Sequence, residues 1–127
     1  MNLRILLLLH ALVTLAAGIV LIIAPSLIPG TIDVHLNSDA YLLSYFLGAA
    51  ELSIAYLSFF SRRSNDTQVL RLVTSTFIVF HSATGIVELY AFVEGVSSKI
   101  LLNVSLRIVI IILFGYYGYN KPSKQKF

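Results

Sequence analysis

Polar residues cluster along this chain. Between the clusters lie four apolar runs, each long enough to cross a hydrocarbon core, which takes about 20 helical residues. They cover Leu3–Ala24, Ala40–Phe60, Val69–Val93 and Ile100–Tyr119. A membrane β-barrel would show strands of about 10 residues alternating in polarity. Neither "LVTLAAGIVLIIA" nor "LRIVIIILFGYYG" alternates, so the spans are predicted to be helices. The expected fold is all-α, an integral membrane four-helix bundle over residues 1–120, followed by a basic cytoplasmic tail at 121–127.

The connections suit that count. "PSLIPGTIDVHLNSD" (Pro25–Asp39) opens with a breaker and ends on Asp39, which is expected to cap the second helix. "SRRSND" (Ser61–Asp66) is a short polar turn whose Asp66 is expected to cap the third. "EGVSSK" (Glu94–Lys99) joins the last two spans, with Gly95 as the stop.

Composition agrees with a bilayer as solvent. Hydrophobic residues make up 57% of the 127 residues and charged residues 12%, against about 25% charged in a globular chain. The chain has no cysteine, which removes disulfides and thiolate metal sites together. The net charge of +3 is small, and its placement matters more. Arg4, Arg62, Arg63, Arg71, Lys121, Lys124 and Lys126 fall on one side of a four-span layout, and only Lys99 falls in the loops of the other. The positive-inside rule then puts both termini in the cytoplasm, here of a bacterial inner membrane. The cations flank apolar runs, so nucleic acid is not an expected partner. The start, "MNLRILLLLHALVTLAAG", has the make-up of a signal peptide. The apolar run continues to Ile23 with no polar cleavage region, so an uncleaved first helix is expected.

Five ionisable residues fall inside the spans: His10, Glu51, His81, Glu88 and Arg107. A charge at the bilayer centre costs about 2.5–3.5 kcal/mol on insertion scales, so each needs a partner or a reason. Residues seven apart on a helix differ by only about 20° around its axis. Thr74, His81, Gly85 and Glu88 therefore share one stripe of the third span, and Ser44, Gly48, Glu51, Ala55 and Ser58 one of the second. His10, Thr14 and Gly18 mark the first span, and Asn103 and Arg107 the fourth. Small and polar stripes are expected to face inward.

Counting depth from the outer ends, at about 1.5 Å per residue, levels Glu51 with His81 and Glu88 with Arg107, with His10 below the first pair. Glu88–Arg107 reads as a salt bridge locking two helices, or as an anion site built on the arginine fork. Glu51 and His81 are the candidate catalytic pair, since a carboxylate and an imidazole in one dry site can exchange a proton near neutral pH. Inward imidazoles at His10 and His81 also raise b-type haem as a cofactor. No zinc motif is present, and His35 beside Asp33 reads as a solvated loop residue. Tyr41 and Tyr90 at one end and Tyr116, Tyr117 and Tyr119 at the other read as interface anchors. Tyr45 and Tyr56 lie deeper and are placed to donate into the interior.

The layout resembles the DoxX-like group of small four-helix membrane proteins. The resemblance is carried by "ALVTLAAGIVLIIAPSLIPG", a helix ending at a proline, and by "YLLSYFLGAAELSIAYLSFFSRR", a glycine-containing helix ending in a basic turn. It implies a membrane protein of that architecture and carries no catalytic residue over. His10, Glu51, His81 and Glu88 are also similar to the buried His and Glu of the emopamil-binding sterol isomerase group, although this chain has no tryptophan to match that group's aromatic features.

The expectation is an integral membrane protein whose polar core, made of His10, Glu51, His81, Glu88 and Arg107, binds a small lipophilic molecule. The alternatives are an enzyme doing acid–base chemistry on a lipid-like substrate and an accessory subunit with a purely structural polar core. Expected partners are membrane lipids, the lipophilic ligand and, for a wider path, a second copy of the chain.

Overall fold

A computed structural model describes residues 1–120. Lys121, Lys124 and Lys126 of the expected basic tail lie outside the described residues. Among the described residues there is no strand, and four helices are long and apolar enough to cross a membrane. They are α1 (Leu3–Ile23), α3 (Tyr41–Ser61), α4 (Thr67–Val93) and α5 (Ile100–Gly115), and a π-helical turn extends the last through Tyr116–Asn120. A four-residue helix, α2 (Leu27–Gly30), and a 3₁₀ turn (Ser38–Ala40) lie in the first loop.

Local chemistry sets the ends. The Asn2 side chain accepts from the Ile5 amide and caps α1, and Asp66 accepts from the amides of Gln68 and Val69 to cap α4. Gly95, at φ 103°, turns the chain after α4 in the left-handed region that favours glycine. The expected cap at Asp39 is displaced. Asn37 holds the Ala40 amide at 3.0 Å, and Asp39 sits inside the 3₁₀ turn that Asn37 starts. Two residues of extra turn before the helix explain the shift.

α1 packs along α3, and α4 along α5. The first pair crosses on glycine. A methyl group built at Gly18 would lie 2.9 Å from the Gly48 carbonyl oxygen, and one at Gly48 would lie 3.0 Å from that of Gly18. Without side chains the two backbones approach closely, as helices in lipid commonly do. The two pairs meet through large side chains instead. At the arginine-bearing end Leu3, Leu6 and Leu7 of α1 pack against Leu70, Val73 and Phe77 of α4 and Phe114 of α5, with Phe77 and Phe114 fully buried. Toward the opposite end, where the first loop lies, all four long helices and that loop line a cavity.

The exterior is apolar. Phe46, Leu72, Val79 and Val93 are each about two-thirds or more exposed, which would be a severe liability in water and is the natural surface against acyl chains. Tyr45 and Tyr56 are part of this exterior, 41% and 67% exposed. They do not donate into the interior as their depth suggested, because they lie off the small-residue stripe that faces α1.

Candidate functional site

The inward stripes converge on one polar seam. His10 stands on α1 above the rings of Phe77 and Phe114, with centroids 4.7 and 5.1 Å away. Its Nδ1 lies 2.7 Å from Ser58 Oγ on α3, and its Nε2 lies 2.9 Å from His81 Nε2 on α4. His81 Nδ1 is in turn 3.3 Å from Arg107 Nη1 on α5. Arg107 passes Gly85 with its stem, where a built methyl group would lie in ordinary contact, 3.7 Å from Arg107 Cδ. Its Nε and Nη2 donate to the two carboxylate oxygens of Glu88 at 2.8 and 2.9 Å. Ser58, His10, His81, Arg107 and Glu88 thus form one hydrogen-bonded chain through all four long helices.

Arginine can only donate, which sets the direction of that chain. His81 Nδ1 must accept from Arg107, so the His81 hydrogen sits on Nε2 and is donated to His10 Nε2. The hydrogen of His10 then sits on Nδ1 and is donated to Ser58 Oγ. Both imidazoles are neutral in this arrangement, and each has both ring nitrogens engaged.

The expected salt bridge between Glu88 and Arg107 is present as a two-point fork, with side chains 16% and 22% exposed. The expected pairing of Glu51 with His81 is absent, because Arg107 and His10 occupy both nitrogens of His81. Depth counted from each helix's own end misled here. Ser58, bonded to His10 beside His81, lies 17 residues from the outer end of α3, whereas His81 lies 12 from that of α4, so those two ends are not level. His81 aligns with Ser58, and Glu51 lies seven residues, about 10 Å, farther along α3. His10, bonded to His81, is level with it, not below it.

A cavity of about 490 Å³ opens above this seam, among the four long helices, within the 300–1,000 Å³ common for small-molecule sites. All five sequence-predicted residues, His10, Glu51, His81, Glu88 and Arg107, line it, together with Thr14, Ser44 and Asn103. The remaining wall is apolar: Ala17 and Leu21 of α1, Leu47 of α3, Ile110 of α5. Leu43, Leu47 and Leu106 line the cavity and are themselves exposed.

Its roof escaped the sequence reading. Ile28, Pro29, Ile32, Val34 and Leu36 of the first loop also line the cavity. The signal was there: in "IDVHLN" the half-buried Ile32, Val34 and Leu36 alternate with the exposed Asp33, His35 and Asn37. His35 is solvated, as expected. Asp33, in the left-handed region at φ 60°, ties the loop to the α4–α5 turn through Lys99 Nζ at 2.8 Å. That bond, and a second from Ser97, hold the Asp33 carboxyl below its ordinary range.

The residues do not fit a b-type haem between His10 and His81. Their Nε2 atoms are 2.9 Å apart and share a hydrogen, whereas two metal–imidazole bonds of about 2 Å each would hold them about 4 Å apart. Among the described residues no group of three His, Asp or Glu is placed to hold a metal ion. No protein-family model, curated protein or solved structure matches the chain, so the site stands on its own geometry.

Proposed function

We propose that this chain is an integral membrane protein of DoxX-like architecture, a four-helix bundle with both termini in the cytoplasm of a bacterial inner membrane, that binds a small lipophilic molecule. The observation that supports this most is the cavity. It combines apolar walls, exposed leucines in its lining and a floor where polar groups converge, the usual anatomy of a small-molecule site. The ligand enters sideways past Leu43 and Leu106, buries its apolar body along α1 and α3, and turns its polar end toward Glu51 and the seam.

Native mass spectrometry from mild detergent tests this against a variant with the space filled. Ala17 lines the cavity, and Ala17→Phe puts a ring into it while leaving the polar seam in place. The expected result is a one-to-one lipophilic adduct on the wild type that is lost from Ala17→Phe. A wild-type protein free of any adduct, or an adduct that survives in the filled variant, overturns the reading.

A further inference from the structure

The polar groups that face the cavity differ in how far they are already satisfied. Both imidazoles have both nitrogens engaged. The Thr14 hydroxyl donates to the His10 carbonyl oxygen, and Ser44 donates to that of Pro25. Arg107 spends three N–H groups on Glu88 and His81. Two of its five N–H groups are unspent, and two further groups that line the cavity, the Glu51 carboxylate and the Asn103 amide, form no hydrogen bond with any described residue.

Charge narrows the choice of ligand. The positive charge of Arg107 is matched by Glu88 at hydrogen-bond distance. Arg107 acts on Glu51 only through space, so an ionised Glu51 leaves the cavity with one negative charge in excess. An arginine in a membrane cavity invites the reading of an anion site, but here its charge is already matched by Glu88 and a second carboxylate faces the same space. A fatty-acid carboxylate or a phosphate would add to the excess. A metal ion would find too few ligands and an apolar wall.

We infer that the cavity takes a cationic amphiphile, a protonated amine on an apolar body, with the ammonium on Glu51. This rests on the cavity being a ligand site and adds the chemistry of the head group. An ammonium carries three donors and no acceptor, which complements an unpartnered carboxylate. The apolar body lies along Ala17, Leu21 and Leu47.

Three probes with one tail separate the cases: n-dodecylamine, 1-dodecanol and dodecanoate, titrated at pH 7 against protein in nanodiscs, with empty nanodiscs for partitioning. The expected order is amine at least tenfold tighter than alcohol, with dodecanoate weakest. Glu51→Gln should remove the gap between amine and alcohol, while Glu51→Asp should keep the preference for amine. If the alcohol binds and the amine binds no tighter, the head-group assignment fails and the cavity reading stands. An amine preference that survives Glu51→Gln has the same consequence. If none of the three probes saturates, the ligand site itself fails. The comparison on wild-type protein decides without any variant having to fold.

Discussion

His10 and His81, 71 residues apart in sequence, share a single hydrogen bond between their Nε2 atoms, and each is held on its far side by a partner from another helix. Because Arg107 cannot accept, the two rings must carry their hydrogens on opposite nitrogens: Nε2 in His81 and Nδ1 in His10. The reverse order, with Ser58 donating to His10, would put a hydrogen on His81 Nδ1 and set it against the guanidinium. With the exposed His35 replaced by glutamine, ¹⁵N spectra of histidine-labelled protein near neutral pH should therefore show one neutral ring of each tautomer. Replacing Arg107 with methionine should release the constraint and mix the two. Two rings of the same tautomer in the wild type would contradict the assigned chain.

The fork between Arg107 and Glu88 ties α5 to α4 within their apolar spans. Losing one partner leaves the other charge uncompensated, which costs 3–5 kcal/mol for a fully buried pair. With about a fifth of each side chain exposed, Arg107→Met should cost about 2 kcal/mol. The double variant Arg107→Met with Glu88→Met should recover most of that, since no orphan charge remains. Arg107→Lys should fall between, because one ammonium cannot hold both carboxylate oxygens and His81. Unfolding in mixed micelles measures all three, and a double variant as unstable as the single would argue against the orphan-charge account.

The inward faces were legible in the sequence because helical periodicity is local. His10, Thr14 and Gly18, and likewise Ser44, Gly48, Ala55 and Ser58, are buried as their spacing requires. Partners across helices were not legible to the same degree. Spacing and depth match Glu88 to Arg107, whereas level helix ends would pair Glu51 with His81. Ser58, which meets His81 through His10, lies 17 residues from the outer end of α3, while His81 lies 12 from that of α4, so the outer end of α3 reaches past that of α4 and carries Glu51 beyond His81. The loop roof is hidden for another reason: its charged members, Asp33 and His35, mark the run as solvated, although the alternating Ile32, Val34 and Leu36 decide which way it faces.

The glycine crossing gives a contrast within one chain. A Cβ at Gly18 meets the Gly48 carbonyl oxygen and Leu52 atoms at 2.9 Å, and one at Gly48 meets Ile22 at 2.8 Å. Backbone is among the obstacles, so the helices must part. Gly18→Ala and Gly48→Ala should each cost about 1–3 kcal/mol. At Gly115 a Cβ meets nothing within 4 Å, so Gly115→Ala should be neutral or stabilise by up to about 1 kcal/mol through the reduced freedom of the unfolded chain. Thermal melting of the three variants checks the order, and equal effects at Gly18 and Gly115 would remove the close crossing as the cause.

The bond between Asp33 and Lys99 is exposed at both ends, 51% and 61%, and a pair of this kind contributes little to global stability. Its effect is local, on the loop that roofs the cavity. Lys99 first, and then Ser97, lowers the Asp33 carboxyl in the folded protein. A carboxylate shifted in that direction contributes while the pH is above its ordinary value, about 3.9 for aspartate, and loses the contribution as the pH falls through the lower folded value. The roof should thus be held from neutral pH down to about 4 and loosen only below it. With no cysteine in the chain, a single spin label at His35→Cys reports the loop cleanly and removes the one neighbouring imidazole. Its spectrum should stay constant from pH 7 to about 4 and become more mobile below that. Adding Lys99→Met should give the mobile spectrum at every pH. A label equally mobile with and without Lys99 would show that the roof is held by its apolar side chains alone.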